Sequence, residues 1–215
     1  MLRDQTVAFD YAARRDDMVD RQIGARGVRS RNVLDAMKAV PREEFVPPNL
    51  REFAYENSPL PIGSGQTISQ PYIVAFMIEA LGLSGGERVL EVGAGSGYAA
   101  AVLGQIAGQV YGMERIAELA GKAAAAVKRL GYDNVEIRQG DGTRGWPEHA
   151  PFDAIIVAAG GRAVPEALKQ QLRIGGRLVI PVGRDAYYQE LVSITRRDEQ
   201  EYEERELAPV RFVPL

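Results

Sequence analysis

Apolar positions along this chain change their period once, and the change divides it into two regions. Up to Val40 they recur at helical spacing, with Met18, Ile23 and Val28, then Val33, Leu34, Met37 and Val40, which predicts helices between about Val7 and Val40. Ser30 is placed to cap the second helix, and Pro41 follows its end, where a missing N–H and the ring stop a helix. The stretch PREEFVPPNLREFAYENSPLPIGSG has no clear period and reads as an ordered loop. QPYIVAFMIEAL then places Ile73, Met77, Ala80 and Leu81 on one helical face, with Pro71 in the first turn and Ser69 as the expected N-cap.

From Glu87 short β-type runs alternate with helical ones. RVLEV (88–92), QVYGM (109–113), NVEIRQ (134–139), FDAIIVAA (152–159) and GRLVIPVG (176–183) read as strands, and ERIAELAGKAAAAVKRLG and VPEALKQQL as helices. Such alternation predicts parallel pairing, because parallel neighbours need a crossover, and runs such as AIIV suit strands covered on both faces. After Gly183 the pattern turns hairpin-like, which predicts antiparallel strands at one sheet edge. The fold class expected is α/β, a doubly wound Rossmann-like sheet over residues 87–215. Residues 1–86 form a helical and loop region packed on that core, not an independent domain.

Composition narrows the chemistry. Of 215 residues 46% are apolar and 26% charged, and the formal net charge of -3 leaves no basic surface for counterion release, so nucleic acid is not an expected partner. The chain has no Cys and a single His, His149, which excludes thiolate nucleophiles and Cys or multi-His metal centres, and no metal is expected. His149, in WPEHAP, reads as an exposed loop residue. MLRDQTVAFDYAARRDD carries charges where a signal peptide would be apolar, and no run reaches the roughly 18 apolar residues of a membrane span. A soluble cytoplasmic chain without a membrane partner is expected.

VLEVGAGSGY (89–98) sits where the first of these strands turns into a helix, the place where open α/β sheets bind ligands. Gly93, Gly95 and Gly97 allow close backbone approach, but Tyr98 replaces the small third residue of a dinucleotide fingerprint. Glu91, two residues before the first glycine, is a poor neighbour for a pyrophosphate and a good one for a cationic group, such as the sulfonium or ammonium of S-adenosylmethionine. Glu114 closes the next strand, where a carboxylate can accept from ribose hydroxyls, and Asp141 in QGDG can accept from an adenine amino group, with Gly142 leaving space beside the ring. After the fourth strand AAGG (158–161) offers room and backbone groups, without the Asn/Asp-Pro-Pro-aromatic run of enzymes that methylate amino nitrogens.

These stretches, together with VPREEFVP, LPIGSGQTISQP, APFDAIIVAA, GGRLVIPVG and VRFVPL, resemble the protein-L-isoaspartate O-methyltransferases over about residues 18–215. The glycine loop is shared by many methyltransferases, whereas GQTISQP and VRFVPL are far more specific. The first 15 residues or so look like an extension without a counterpart. The resemblance implies a class I methyltransferase sheet and methyl transfer from S-adenosyl-L-methionine to the α-carboxyl of L-isoaspartyl residues in damaged proteins. The methyl ester then closes to a succinimide, which hydrolyses partly to aspartate. It implies cofactor contacts at Gln66, Thr67, Ile68, the glycine loop, Glu114, Arg115, Asp141 and Gly142, and a catalytic role for Ser69. Partners would be isoaspartyl-containing proteins and peptides, met by a monomer.

The chemistry agrees with the missing histidine. A carboxylate with a pKa near 4 is already an anion at neutral pH, so attack on a methyl group requires no general base. Ser69 is then read either as a helix cap or as a neutral donor orienting the carboxylate, and Arg211 and Tyr72 either as peptide-channel residues or as ordinary surface positions. Two other functions stay open: a methyltransferase for another carboxyl or a small molecule, and a binding module without transfer.

Overall fold

The computed structural model describes residues 9–185 and 188–215; the start of the predicted helical region at Val7 lies outside them. Helix α1 (Tyr11–Asp17) runs into a π-helical turn, Met18–Ile23, and a short 3-10 turn that ends at Gly27 with φ 109°. Helix α2 (Arg31–Ala39) starts after Ser30 and stops at Val40, just before Pro41. The Ser30 side chain makes no capping bond; the Arg29 and Ser30 N–H groups instead donate to Glu79 Oε1, each at 2.6 Å.

The expected loop over 41–65 is more regular than its lack of period suggests. It holds two 3-10 helices, Arg42–Phe45 and Pro48–Phe53, and a hairpin of β1 (Leu60–Gly63) with β2 (Gln66–Ile68). Ser64 and Gly65 turn the hairpin with φ of 51° and 70°, the paired positive values of a two-residue turn matching strand twist. Helix α3 (Pro71–Leu81) follows, and its N-cap is Gln70, not Ser69. Proline disfavours helical backbone in the residue before it, so Gln70, at ψ 135°, takes the boundary and leaves Ser69 one position outside.

The remaining elements are β3 (Arg88–Val92), α4 (Tyr98–Gly104), β4 (Gln109–Glu114), α5 (Ala117–Arg129), β5 (Val135–Gln139), β6 (Phe152–Val157), α6 (Glu166–Gln170), β7 (Leu172–Asp185), β8 (Tyr188–Arg196) and β9 (Tyr202–Val210). They form a seven-stranded sheet in the order β5-β4-β3-β6-β7-β8-β9. Strands β5 to β7 pair in parallel, and β8 and β9 continue antiparallel at one edge, as expected. The order reverses between β3 and β6, which opens a crevice at their carboxyl ends. Two boundaries differ from expectation: α6 is five residues long, and β7 begins at Leu172, not Gly176. Phe152 pairs with Leu172 but Ala154 with Arg177, so extra residues around Gly175, at φ 82°, are accommodated as an irregularity within the strand.

Alternation along the parallel strands feeds two buried clusters, one per face. Leu90, Val92, Ile155, Val157, Leu178 and Ile180 pack with Trp146, Phe152 and Leu168. Val89, Val110, Ala154, Ile156 and Val179 pack with Met18, Met37, Met77 and Leu103, which joins the N-terminal helices to the sheet. His149 is not the exposed loop residue expected. It ends a 3-10 turn, half-buried, with its ring stacked 4.0 Å from the Tyr111 ring centroid. Along the outer strand β9, Glu203, Glu204, Arg205, Glu206 and Pro209 are exposed.

Candidate active site

The glycine loop leaves β3 under tight backbone control. The N–H groups of Gly93 and Ala94 both donate to the Met113 carbonyl, at 2.8 and 3.1 Å, so the loop stays tied to the end of β4. Gly93, Gly95 and Gly97 have φ of 83°, 53° and 85°, a left-handed backbone that L side chains rarely adopt. At the end of β4 the buried Glu114 carboxylate accepts from the Gly95 N–H and the Ile116 N–H, both at 2.8 Å. One acid therefore shapes the loop on one side and the start of the next segment on the other.

Asp141, just past β5, is exposed and accepts on Oδ1 from the Thr143 N–H at 3.0 Å and the Thr143 hydroxyl at 2.6 Å. These bonds hold its carboxyl below the usual range and leave Oδ2 without a partner among the described residues. Gly142 lies against β3: a Cβ there would come within 2.3 Å of Val92 Cγ1. The absence of a side chain therefore lets this turn close onto the sheet.

Two adjoining clefts open at the carboxyl ends of β3, β4 and β6. The first, about 610 Å³, is lined by Gln66, Glu114, Arg115, Asp141 and Gly142, with Ala158 and Ala159 along one wall. Val213, Pro214 and Leu215 close it from above. This closing segment is held by the Gly160 N–H donating to the Val213 carbonyl at 2.7 Å and the Leu215 N–H donating to the Gly160 carbonyl at 2.9 Å. The second cleft, about 490 Å³, is lined by Ile68, Ser69, Glu91, Met77 and Tyr98. Thr67, Gly93, Gly95 and Ala158 belong to both and mark where they meet.

Glu91 is the most unusual group in the second cleft. It is buried, and its Oε2 has no hydrogen-bond partner among the described residues. Burial first, and then the Glu114 charge, raise its carboxyl well above the ordinary range. A buried acid of this kind beside a cleft suits a positively charged ligand group. With the glycine cradle and the acids at the ends of β4 and β5, the residues present fit an adenosyl donor carrying a sulfonium and an ammonium.

The structure thus brings together Gln66, Thr67, Ile68, Ser69, Glu91, Gly93, Gly95, Glu114, Arg115, Asp141 and Gly142 around the two clefts. Gly97 stands apart. A Cβ there would meet Ala123 Cβ at 3.2 Å and Ile137 Cδ1 at 3.3 Å, so this glycine serves the packing of α4 against α5 and β5. Sequence reasoning missed Val213–Leu215 as a wall, although VRFVPL stood out as specific, and missed Thr143, Met77 and Tyr98 as lining residues. Tyr98 departs from the dinucleotide pattern for a reason now visible: it is buried, with its ring face 4.8 Å from the Arg42 guanidinium and its hydroxyl 3.6 Å from Met37 Sδ.

Residues 13–215 match the family model for protein-L-isoaspartate(D-aspartate) O-methyltransferase. Among curated relatives, protein-L-isoaspartate O-methyltransferase 1 of Rhodopseudomonas palustris strain HaA2 is 64% identical over 97% of this chain and 85% of its own length. The protein-L-isoaspartate O-methyltransferase of Rhodopseudomonas palustris strain ATCC BAA-98 / CGA009 is 61% identical over 92% of this chain and 91% of its own. A solved protein-L-isoaspartate O-methyltransferase superposes with a TM-score of 0.84 at 32% identity, covering 94% of this chain and 65% of that one. A Plasmodium falciparum structure described as such an enzyme, in complex with S-adenosyl-L-homocysteine, superposes at 0.80 and 28% identity over 94% of this chain and 97% of that one. The chain belongs to the protein-L-isoaspartate(D-aspartate) O-methyltransferase family.

Proposed function

We propose that the chain transfers a methyl group from S-adenosyl-L-methionine to the α-carboxyl of L-isoaspartyl residues in damaged proteins and peptides, the first step of repair through a succinimide. The observation that carries this reading is the joining of two clefts at Gly93, Gly95 and Ala158, one lined by the ribose- and adenine-type acceptors Glu114 and Asp141, the other by Glu91 and Ser69. The S-adenosyl-L-homocysteine complex of the Plasmodium relative supports the donor assignment.

When bound, S-adenosyl-L-methionine supplies an electrophilic methyl group on sulfur, and the substrate carboxylate oxygen gains that methyl as the C–S bond breaks. Glu114 would offer carboxylate oxygens to ribose hydroxyls and Asp141 Oδ2 would accept from the adenine amino group, while Glu91, releasing its proton to solvent as the cation arrives, would balance the donor's positive charge. Among the described residues the Ser69 hydroxyl makes no hydrogen bond within the protein. It is free to donate to the substrate carboxylate, which it orients without accepting a proton. A neutral donor suits this step, because a strong cationic clamp on the nucleophilic oxygen would weaken it. Alignment of the reacting atoms can contribute about 7–11 kcal/mol in favourable cases. All residues given a role come from one chain, and the proposed enzyme acts as a monomer. The cluster shared by Met18, Met37 and Ile156 supports the described part of the N-terminal region as packed on the core.

The test is methyl transfer to a matched pair of peptides that differ only in an isoaspartyl or aspartyl linkage. Strong preference for the isoaspartyl peptide is expected; equal transfer to both would favour another carboxyl substrate. Ser69→Ala is expected to lower turnover of the isoaspartyl peptide, and unchanged turnover would remove Ser69 from the mechanism.

A further inference from the structure

Arg42 lies in the 3-10 turn after Pro41, outside both clefts, and is completely buried. Among the described residues it has no carboxylate partner within ion-pair distance. The adjacent Glu43 is engaged by the Tyr55 hydroxyl and lies 3.8 Å from Arg15 Nη1. Burying a cation without a counter-ion is costly, and a side chain serving only to fill space could do so without charge. The guanidinium instead spends its donors on two carbonyls. Nε donates to Ala54 O at 2.7 Å and Nη2 to Ser69 O at 2.9 Å, while Cζ sits over the ring of Tyr98, at the start of α4, 4.8 Å from its centroid. Nη1 has no partner.

Ser69 is the residue most in need of such a tie. It follows β2 and precedes the Gln70 cap of α3, so it belongs to neither the strand ladder nor the helix. The Arg42 bond anchors its carbonyl from behind, and Tyr98 fills the wall between Arg42 and the cleft that Ser69 lines. The positive charge is thereby held off the nucleophilic oxygen while still fixing the neutral donor that faces it.

We infer that Arg42 is a positioning residue for methyl transfer, acting through the backbone of Ser69. This rests on the assignment of Ser69 as the donor to the substrate carboxylate. Glutamine at this position would lose the fork that reaches both carbonyls; lysine would keep the charge but not the planar two-point grip.

The test is a double-mutant cycle on the full chain with Arg42→Gln, Ser69→Ala and the pair, each checked for folding by thermal unfolding. Two quantities are read: kcat/KM for an isoaspartyl peptide at saturating donor, and calorimetric affinity of the same peptide for the enzyme preloaded with S-adenosyl-L-homocysteine. Arg42→Gln is expected to lower kcat/KM roughly tenfold to a hundredfold, the scale of an ångström-level misplacement. It should weaken peptide binding while leaving S-adenosyl-L-homocysteine affinity within about twofold of wild type by the same calorimetry. In the Ser69→Ala background the same change should cost less than about threefold. A full loss persisting in that background, or a parallel loss of cofactor affinity, would overturn the inference. If the glutamine variant does not fold, Arg42→Lys goes through the same cycle under the same criteria. An inert Ser69→Ala would count against Ser69 itself, whereas an active-site defect there combined with additive behaviour would count against Arg42 alone.

Discussion

Glu114 Oε2 accepts the backbone N–H of Gly95 at 2.8 Å, so the acid expected to meet the donor's ribose also holds the loop that cradles it. Its Oε1 is tied to Ile116, and both interactions lie at the floor of the first cleft. Glu114→Ala should therefore weaken donor binding by about 1.5–3 kcal/mol, the range for charge-assisted hydrogen bonds, and should also lower thermal stability because two part-buried N–H groups lose their acceptor. Calorimetry with S-adenosyl-L-homocysteine checks the first effect; unaltered affinity would remove the ribose assignment.

Glu91 has the opposite relation to its surroundings. Burial and the neighbouring Glu114 charge hold its carboxyl well above the ordinary range. In the folded protein it keeps a proton that the unfolded chain releases, so stability falls as pH rises from the ordinary carboxyl range toward the raised value. Glu91→Gln removes that ionisation. Its melting temperature should match wild type most closely near pH 5 and exceed it increasingly toward pH 8, while its affinity for the cationic donor falls more than its affinity for the uncharged-sulfur product. Parallel melting curves across this range would mean that Glu91 is already ionised in the fold.

Gly97 separates the stability of the loop from its chemistry. With φ of 85° and α5 closely packed against it, Gly97→Ala should destabilise the fold by about 1–2 kcal/mol from the left-handed backbone alone, with further strain at Ala123. Because Gly97 lines neither cleft, cofactor affinity measured on the folded fraction should change less than twofold. Denaturant unfolding and calorimetry together check both halves.

The parallel sheet was legible because strands such as RVLEV and DAIIV are apolar on both faces and the helices between them keep their period. The glycine loop and its acids were legible because their roles follow from position relative to strand ends. What escaped depends on distant partners or on short elements. Strands β1 and β2 are four and three residues long, and Pro59 and Pro61 hide the first behind a loop-like composition. Ser69 has the chemistry of a cap, but Pro71 hands that position to Gln70. Nothing near Arg42 in sequence signals that it is buried, since its partners Ala54, Ser69 and Tyr98 lie 12 or more residues away. The wall made by Val213–Leu215 likewise depends on a pairing with Gly160 across the fold.

The outer strand β9 leaves one rim of the sheet with unpaired backbone groups, a surface that extended chains tend to join. Glu203, Glu204, Arg205 and Glu206 line that rim with charge, Glu203 paired with Arg197, and Pro209 lacks an N–H. An enzyme whose clients are damaged, partly unravelled polypeptides meets sticky strands continually. Charge and a proline along this rim disfavour strand addition to the sheet edge, which leaves the clefts as the place for such clients to engage.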